Sequence, residues 1–189
     1  MSLRTAPPFR ADHVGSFLRP AALKEARAKF APKGWLVTLA VPLDDPAWDM
    51  KAFANAADRL FLMNYDQHAS WDDPGPVAEQ SWFAGNLSRV LAQIPASKAI
   101  VAIGGYCYDF TDKTASDITV PEAWGLARDA GSTIAFDPAS GTSTFAYADD
   151  AGVKHTVWML DAASAWNQRF TCGKSSRFCP WRSCGTTQG

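Results

Sequence analysis

A dense group of polar and aromatic side chains follows one apolar run of the sequence. The segment LFLMNYDQHASWDDPG starts as a strand-like stretch at Leu60 and turns polar at Asn64, after which come Tyr65, Asp66 and Trp71. A phenol and a carboxylate can orient a polar substrate or exchange a proton with it, and an indole ring can pack on the face of a sugar. The segment therefore suggests a site for a carbohydrate.

Two further segments place the same residue types after apolar runs. KAIVAIGGYCYDF contains Tyr106 and Asp109, and VWMLD ends in Asp161. In parallel α/β folds the reacting groups gather at the carboxyl ends of the strands, where loops vary while the sheet stays packed. We therefore expect these side chains to share one crevice with Tyr65 and Asp66. For each residue alone, the alternative is a helix N-cap for an aspartate and packing under a loop for a tyrosine.

Three strands and two helices are expected to position these residues. GWLVTLAVP, residues 34–42, is a β-branched and aliphatic run between Gly and Pro, which predicts a central strand buried on both faces. RLFLMNY and KAIVAIGGY predict two more strands, and WDMKAFANAAD and AEQSWFAGNLSRVLAQI predict the helices between them. This alternation indicates a parallel α/β sheet.

The later part of the chain predicts a different arrangement. PEAWGLARDAG indicates a helix that ends at Gly131, and TIAFDPASGTSTFAYADDAGVKHTVWML alternates apolar and polar positions around two turns, which predicts a small antiparallel sheet. DAASAWNQRF predicts a last helix. Residues 171–189 contain no Ala, Val, Leu, Ile or Met, and we expect them to form a disordered tail.

Composition argues against several classes of function. The 18 basic and 19 acidic side chains nearly cancel and the basic ones are scattered, so a nucleic-acid partner is not expected. The four cysteines lack paired C-x-x-C spacing and a nearby His, so no metal and no cofactor are expected. An apolar stretch long enough to span a bilayer is missing and the start lacks a signal-peptide pattern, which predicts a soluble chain without a membrane span.

The segments discussed above resemble the second half of a family-18 glycoside hydrolase, the chitinase-like (β/α)8 barrel. The residues that carry the resemblance are FLMNYDQH with PGPVAEQSWF behind it, KAIVAIGGYCYDF, and FAYADDAGVKHTVWMLDAASAWNQ. The resemblance implies a partial TIM barrel with a small antiparallel β insertion. It divides the chain into an N-terminal segment, residues 1–33, a partial barrel, residues 34–170, and the tail, residues 171–189.

The resemblance also implies roles for individual residues. Met63, Tyr65 and Asp66 match the Met-x-Tyr-Asp strand end that faces the sugar at the cleavage point. The Tyr65 hydroxyl is implied to hold the N-acetyl oxygen of the substrate as that group attacks its own anomeric carbon, and Asp66 to orient this group or the leaving sugar. The predicted site has catalytic Tyr65 and Asp66, substrate-binding Met63, Trp71, Tyr106 and Asp161, and no metal.

The general acid of that family has no counterpart in this sequence. A protonated Glu is needed because the departing sugar oxygen cannot leave as an alkoxide, and the family carries it in a D-x-x-D-x-D-x-E segment. The chain contains only Glu25, Glu79 and Glu122, none of which follows such a series of Asp residues. We therefore expect a fragment that acts on or binds a β-linked N-acetylhexosamine polysaccharide but is catalytically impaired.

The first residues resemble a second family. TAPPFRADHVGSFLRPAALKEARAKF resembles the start of the cobalamin-independent methionine synthase superfamily. This resemblance implies that Gly15 and Ser16, with His13 beside them, would hold a homocysteine-like substrate. The zinc ligands of that superfamily have no counterparts here, so its methyl-transfer chemistry does not follow.

Two alternatives to the hydrolase therefore stay open. One is a non-catalytic carbohydrate-binding or interaction module that uses Trp71, Tyr106 and Trp82, and the other is a methionine synthase-like methyltransferase. The compartment is open as well, since the start of the chain points to the cytoplasm and the family resemblance to the cell envelope. An open half-barrel has two unpaired sheet edges, through which we expect self-association.

Overall fold

The fold comes from a computed structural model that describes residues 25–26, 28–112 and 114–174. The chain divides into two compact units. The first contains the described residues up to Asn64 together with residues 86–102, and the second contains residues 65–85 together with the described residues from Ile103 onward. Within these ranges no helix combines the length and the apolar character needed to cross a bilayer.

The first unit is built on a three-stranded parallel sheet in the order β1-β2-β3. The strands are β1 (Thr38–Pro42), β2 (Arg59–Met63) and β3 (Ala99–Ala102). Helix α1 (Met50–Ala56) connects β1 to β2, and helix α2 (Gln80–Leu91) lies between β2 and β3 in the chain. Single 3-10 turns form at Ala31–Lys33 and Ala96–Lys98. The predicted alternation of strands and helices is therefore present.

The prediction that β1 is a central strand buried on both faces is wrong for the described residues. β1 lies at the edge of the sheet, and its side chains alternate, with Leu39 and Val41 buried and Thr38 exposed. β2 is the central strand, and it shows the same alternation through buried Leu60 and Leu62. This pattern is the one expected where one face of a sheet is more fully covered than the other.

The second unit contains a five-stranded antiparallel sheet in the order β5-β4-β8-β7-β6. Its elements are β4 (Tyr106–Phe110), β5 (Ala115–Thr119), α3 (Val120–Asp129), β6 (Ala135–Asp137), β7 (Thr142–Ala148), β8 (Lys154–Met159) and α4 (Ala162–Lys174). The antiparallel sheet predicted for the later part of the chain is thus confirmed, and it is larger than expected because β4 and β5 also belong to it.

The predicted strand KAIVAIGGY is two strands rather than one. β3 ends at Ala102, and after Ile103 and two glycines the chain starts β4 at Tyr106, which pairs with β5 and β8. Glycine weakens a continuous strand because it has no side chain to pack. The residues predicted to end a parallel strand therefore begin an antiparallel one.

The two faces of the antiparallel sheet carry separate apolar clusters. On one face Cys107 packs with Ala123 and Ala127 of α3 and with residues of β7 and β8. On the other face Tyr108 and Phe110 pack against residues of the 65–79 segment and Leu160. Since side chains alternate along a strand, β4 contributes to both clusters. This packing fixes the segment after β2 against the sheet of the second unit.

Helix α3 begins with a capping box. Thr119 Oγ1 accepts a hydrogen bond from the Glu122 amide at 3.3 Å, and Glu122 Oε2 accepts one from the Thr119 amide at 2.7 Å. The Thr119 hydroxyl also donates to Glu122 Oε2 at 2.7 Å, and this bond, followed by the one from the Thr119 amide, lowers the pKa of Glu122. Glu122 therefore stabilises the start of α3.

Several predictions fall partly or wholly outside the described residues. Residues 28–30 are helical, whereas His13, Gly15 and Ser16 are not described. Helix α4 includes residues 171–174, and the remainder of the predicted tail is not described.

Candidate functional site

Tyr65 and Asp66 follow β2 in the sequence and lie at the start of the second unit. The Asp66 backbone is in the left-handed region, with φ of 66°. This region is uncommon for residues other than glycine, and Asp and Asn are among the few side chains that tolerate it. The residue type at position 66 therefore suits a tight change of chain direction while it supplies a carboxylate.

The Asp66 carboxylate accepts hydrogen bonds from two tyrosines of β4. The Tyr106 hydroxyl donates to Oδ1, and the Tyr108 hydroxyl donates to the same oxygen at 3.2 Å. Alternation along the strand places both tyrosines on one face of the sheet. A carboxylate oxygen has enough lone-pair capacity for both donors. Asp66 Oδ2 has no hydrogen bond among the described residues, so it can accept a donor from a ligand.

Four aromatic rings form a row of ring-to-ring contacts that includes both tyrosines hydrogen-bonded to this carboxylate. The Tyr65 and Tyr106 rings meet edge to face at 5.9 Å, and the Tyr106 and Tyr108 rings do so at 5.6 Å. Phe110 continues the row at 5.8 Å from Tyr108. Edge-to-face pairs of this kind each stabilise the packing by about 0.5–1.5 kcal/mol beyond their buried area. The structure thus brings together Tyr65, Asp66 and Tyr106, as the sequence predicted.

The phenols of this cluster keep their protons at neutral pH. Burial, and then the charge of Asp66, raises the pKa of Tyr65. Burial and the hydrogen bond to Asp66 raise the pKa of Tyr106, and burial and Asp66 raise the pKa of Tyr108 to about 12. Each hydroxyl therefore remains a hydrogen-bond donor, either to Asp66 or to an acceptor on a ligand.

Asp161 has the contacts of a helix N-cap. Its Oδ1 accepts hydrogen bonds from the amides of Ala163 at 3.0 Å and Ser164 at 3.1 Å, and its Oδ2 accepts one from Ser143 Oγ at 2.7 Å. Both carboxylate oxygens are engaged at the start of α4, and none of these partners belongs to the tyrosine cluster. This is the alternative that the sequence offered for an aspartate after a strand, and it replaces the predicted convergence with Tyr65 and Asp66.

Asp109 does not end a strand, contrary to the prediction. It lies within β4, where its Oδ2 accepts a hydrogen bond from the Tyr147 hydroxyl at 2.7 Å and its Oδ1 accepts one from His155 Nδ1 at 2.9 Å. The rings of Tyr147 and His155 stack at 4.5 Å. Burial and Asp109 raise the pKa of Tyr147. This group ties β4, β7 and β8 together, on the face of β4 opposite to Tyr106 and Tyr108.

Trp71 lies in a loop with several internal hydrogen bonds. The Gln67 amide donates to the Val77 carbonyl at 2.8 Å, and Gln67 Oε1 accepts from the Glu79 amide at 2.8 Å. His68 Nδ1 contacts the Asp73 carbonyl at 3.1 Å. Trp71 itself is 76% exposed. The loop therefore presents an indole ring to solvent, as a sugar-stacking residue requires.

Three other residues named from the sequence have clear surroundings. Met63 is the last residue of β2, half-buried, and its predicted contact with substrate stays a prediction. Trp82 is half-buried and packs against the cluster of Tyr108 and Phe110. Glu79 accepts a hydrogen bond from Ser81 Oγ. Neither Glu79 nor Glu122 is hydrogen-bonded to the tyrosine cluster within the described residues, and these residues contain no group of three or more His, Cys, Asp or Glu that could hold a metal ion.

Tyr108 is a residue of this cluster that was not predicted from the sequence. The signal was present in YCYDF, because a Tyr-x-Tyr pair in a strand places both rings on one face. A parallel strand that ends at Tyr106 would leave Tyr108 outside the sheet, whereas the antiparallel β4 that begins at Tyr106 includes it.

Residues 19–176 match the family Glycosyl hydrolases family 18, and the chain belongs to this family of chitinase-like glycosylases. The uncharacterized glycosylase YvbX of Bacillus subtilis (strain 168) is 36% identical over 121 residues, which are 61% of this chain and 35% of YvbX. The putative sporulation-specific glycosylase YdhD of the same organism is 28% identical over 154 residues, which are 75% of this chain and 37% of YdhD. The chain thus spans little more than a third of these curated relatives.

Solved structures agree with this assignment. The crystal structure of YdhD has a TM-score of 0.74 and 25% identity, and the match covers 80% of this chain and 55% of that one. A chitinase from Chromobacterium violaceum has a TM-score of 0.68 and 28% identity, over 74% of this chain and 47% of that one. These neighbours belong to a (β/α)8 barrel family, whereas the described residues form two separate sheets and no closed barrel.

The resemblance of residues 1–33 to methionine synthase is not supported. The match to family 18 begins at residue 19, inside that segment. The residues implied to hold a homocysteine-like substrate lie outside the described part of the chain.

Proposed function

We propose that this chain binds a β-linked N-acetylhexosamine oligomer through Tyr65, Asp66 and Tyr106. The observation that carries the proposal is the hydrogen bond from Tyr106 to Asp66 beside the edge-to-face Tyr65 ring. Membership of family 18 supports a carbohydrate ligand, and the chitinase of Chromobacterium violaceum is a structural neighbour at 28% identity.

The chemistry of the cluster suits an acetamido sugar. The Tyr65 hydroxyl, whose pKa is raised, is a donor for the carbonyl oxygen of an N-acetyl group. Asp66 Oδ2 is an acceptor for an amide N–H or a sugar hydroxyl, and the bond to an ionised group is stronger than a neutral one. Trp71 offers an exposed ring on which a further sugar residue of the oligomer could stack.

We also propose that the two sheets belong to the second half of the family barrel and to a small antiparallel insertion in it. The order β1-α1-β2-α2-β3 with parallel pairing is the repeating unit of such a barrel. The coverage of 55% of the YdhD chain agrees with about half of a barrel domain. The boundaries proposed for this part are residues 34–170, with the first residues and the tail outside it.

Binding without efficient cleavage is the activity that we propose for the chain alone. Its sequence has no D-x-x-D-x-D-x-E segment, and loss of a positioned general acid typically costs about a hundredfold to ten-thousandfold in rate. A fluorogenic chito-oligosaccharide assay is expected to show no release above a control without protein. Turnover at a rate usual for a chitinase would contradict this part of the proposal and favour an acid elsewhere in the chain.

Calorimetric titration with chitotetraose tests the binding site. We expect Asp66→Asn to weaken binding about tenfold, because hydrogen bonds to charged groups contribute about 1.5–3 kcal/mol and 1.4 kcal/mol corresponds to a factor of ten. Asn also tolerates the left-handed backbone, so the change isolates the charge. The matched control Asp150→Asn removes the same charge from an exposed turn and should bind as the parent does.

Cellotetraose separates recognition of the acetamido group from general sugar binding. It has the same β-linked backbone but no N-acetyl groups, and we expect it to bind at least about tenfold more weakly than chitotetraose. Equal affinity of the parent for both sugars, or equal affinity of the parent and Asp66→Asn for chitotetraose, would overturn the proposed function.

A further inference from the structure

Tyr108 is a buried residue whose hydroxyl donates a hydrogen bond to Asp66 of the proposed site. Its side chain is 8% exposed and belongs to the apolar cluster with Phe110, Leu160 and the 65–79 segment. Its hydroxyl nevertheless reaches Asp66 Oδ1 at 3.2 Å. A buried phenol that contacts a half-exposed carboxylate is in a position to control that carboxylate without contacting a ligand.

The Tyr108 ring is held firmly by its surroundings. It lies between the rings of Tyr106 at 5.6 Å and Phe110 at 5.8 Å. Its backbone is paired on both sides, with Asp117 of β5 and Trp158 of β8. A side chain on a strand that is paired on both sides and packed in this way has few rotamers available. The donor oxygen is therefore fixed relative to the sheet.

Asp66 has no such support from its own backbone. It lies in a loop rather than a strand, and its carboxylate can turn about two side-chain torsions. Tyr106 alone would restrain one oxygen, but Tyr106 is half-exposed and also lies where a ligand would contact it. The Tyr108 hydroxyl is a second donor to the same oxygen. Two donors on Oδ1 favour one orientation of the carboxylate over the others.

We propose that Tyr108 is a positioning residue of the carbohydrate site, whose hydroxyl fixes Oδ1 of Asp66 so that Oδ2 is presented to a donor group of the bound sugar. Tyr108 acts through Asp66 and does not contact the ligand. The inference rests on the proposed function, and it adds a residue from the core of the antiparallel sheet to the set that determines affinity.

Crystal structures of Tyr108→Phe and of the parent test the positioning directly. The substitution removes only the hydroxyl, and we expect the Asp66 carboxylate to rotate or to occupy more than one conformation. Tyr147→Phe is the matched control, because it removes a tyrosine donor to Asp109 in the same sheet and should leave Asp66 as it is. An unchanged Asp66 carboxylate in Tyr108→Phe would overturn the positioning role whether or not a sugar binds.

A double-mutant cycle measured by chitotetraose titration tests the consequence for binding. We expect Tyr108→Phe to raise Kd about fivefold in the parent and to have no further effect in Asp66→Asn, since its action depends on the carboxylate. Replacement of Tyr108 by p-aminophenylalanine keeps a donor at the same place and should restore most of the affinity. An equal loss of affinity on Tyr108→Phe in the parent and in Asp66→Asn would show a merely structural role and overturn the proposal. Failure of p-aminophenylalanine to restore affinity would do the same.

Sugar binding by the chain and the positioning role of Tyr108 can be contradicted separately. A parent chain that does not bind chitotetraose contradicts the proposed function and the role of Tyr108 with it. A parent that binds while Tyr108→Phe binds equally well contradicts the role of Tyr108 alone. Melting temperatures of all variants, together with that of Tyr147→Phe, separate lost affinity from lost folding.

Discussion

At residue 66 a left-handed backbone coincides with a carboxylate that two phenols hold by one oxygen. Backbone conformations that cost energy persist where the surroundings fix them, and they are frequent at binding sites. Here the surroundings include the Tyr106 and Tyr108 hydroxyls of β4. The same residue type thus satisfies a constraint on the chain and supplies a polar group to the proposed site.

Asp109 offers a comparison, because it has a similar set of partners but a structural role. Asp109→Ala is expected to lower the free energy of unfolding by about 2–3 kcal/mol, since it removes an acceptor shared by Tyr147 and His155 and leaves two partly buried donors unpaired. Urea unfolding measures this change. Affinity for chitotetraose should stay within about twofold of the parent; a variant of parental stability would contradict the interpretation of Asp109 as a link between strands.

Among the elements, the loop that carries Trp71 depends on one glycine. A Cβ at Gly75 would lie 2.5 Å from the His68 ring, whereas a Cβ at Gly85 in α2 would contact nothing within 4 Å. Gly75→Ala is therefore expected to destabilise the protein by about 1–3 kcal/mol through overpacking and to weaken oligomer binding as His68 moves. Gly85→Ala should instead stabilise it by about 0.5–1 kcal/mol as a better helix former.

Urea unfolding and chitotetraose titration of this alanine pair check the prediction. The free energy of unfolding should fall in Gly75→Ala and rise in Gly85→Ala if the close contact of His68 with Gly75 matters. Equal stability changes for the two variants would show that the loop accommodates a methyl group, and that its hydrogen bonds do not depend on a close His68 contact.

The elements were predictable to different degrees. Apolar runs and helical periodicity located β1, β2, α1 and α2, because those signals are local. The division of KAIVAIGGYCYDF into β3 and β4 was not predictable, since it depends on the pairing of β4 with β8, some fifty residues later in the chain. Tyr65 and Asp66 were identified from one segment, whereas Tyr108 acquires its role only through that distant pairing.

For the whole molecule, the four tyrosines of the sequence share one property. Burial and nearby carboxylates raise the pKa of Tyr65, Tyr106, Tyr108 and Tyr147 above the ordinary value of 10.0. A raised pKa in the folded state means that the protonated form is favoured by folding. The resulting stability is present below pH 10, where folded and unfolded chains are both protonated, and is lost as the pH rises toward the folded-state pKa, about 12 for Tyr108.

Tyrosinate absorbance during an alkaline titration measures this behaviour. In the folded protein Tyr106, Tyr108 and Tyr147 should not ionise near pH 10, and their absorbance should rise together with the loss of structure seen by circular dichroism. In concentrated denaturant the four phenols should ionise together at the ordinary pKa. More than one tyrosine that ionises near pH 10 while the protein stays folded would contradict the burial of at least one of these three phenols.

The parallel order β1-β2-β3 has a consequence for assembly. Among the described residues, β1 and β3 each pair with one strand only, so each presents a row of unpaired backbone amides and carbonyls. If parallel pairing continued from one chain to the next, β3 of one molecule would join β1 of another, and such head-to-tail contacts generate open filaments unless the rotation between molecules closes them into a ring. Light scattering should then show a mass that keeps rising with concentration, while a constant monomer mass would show that these edges are covered in solution.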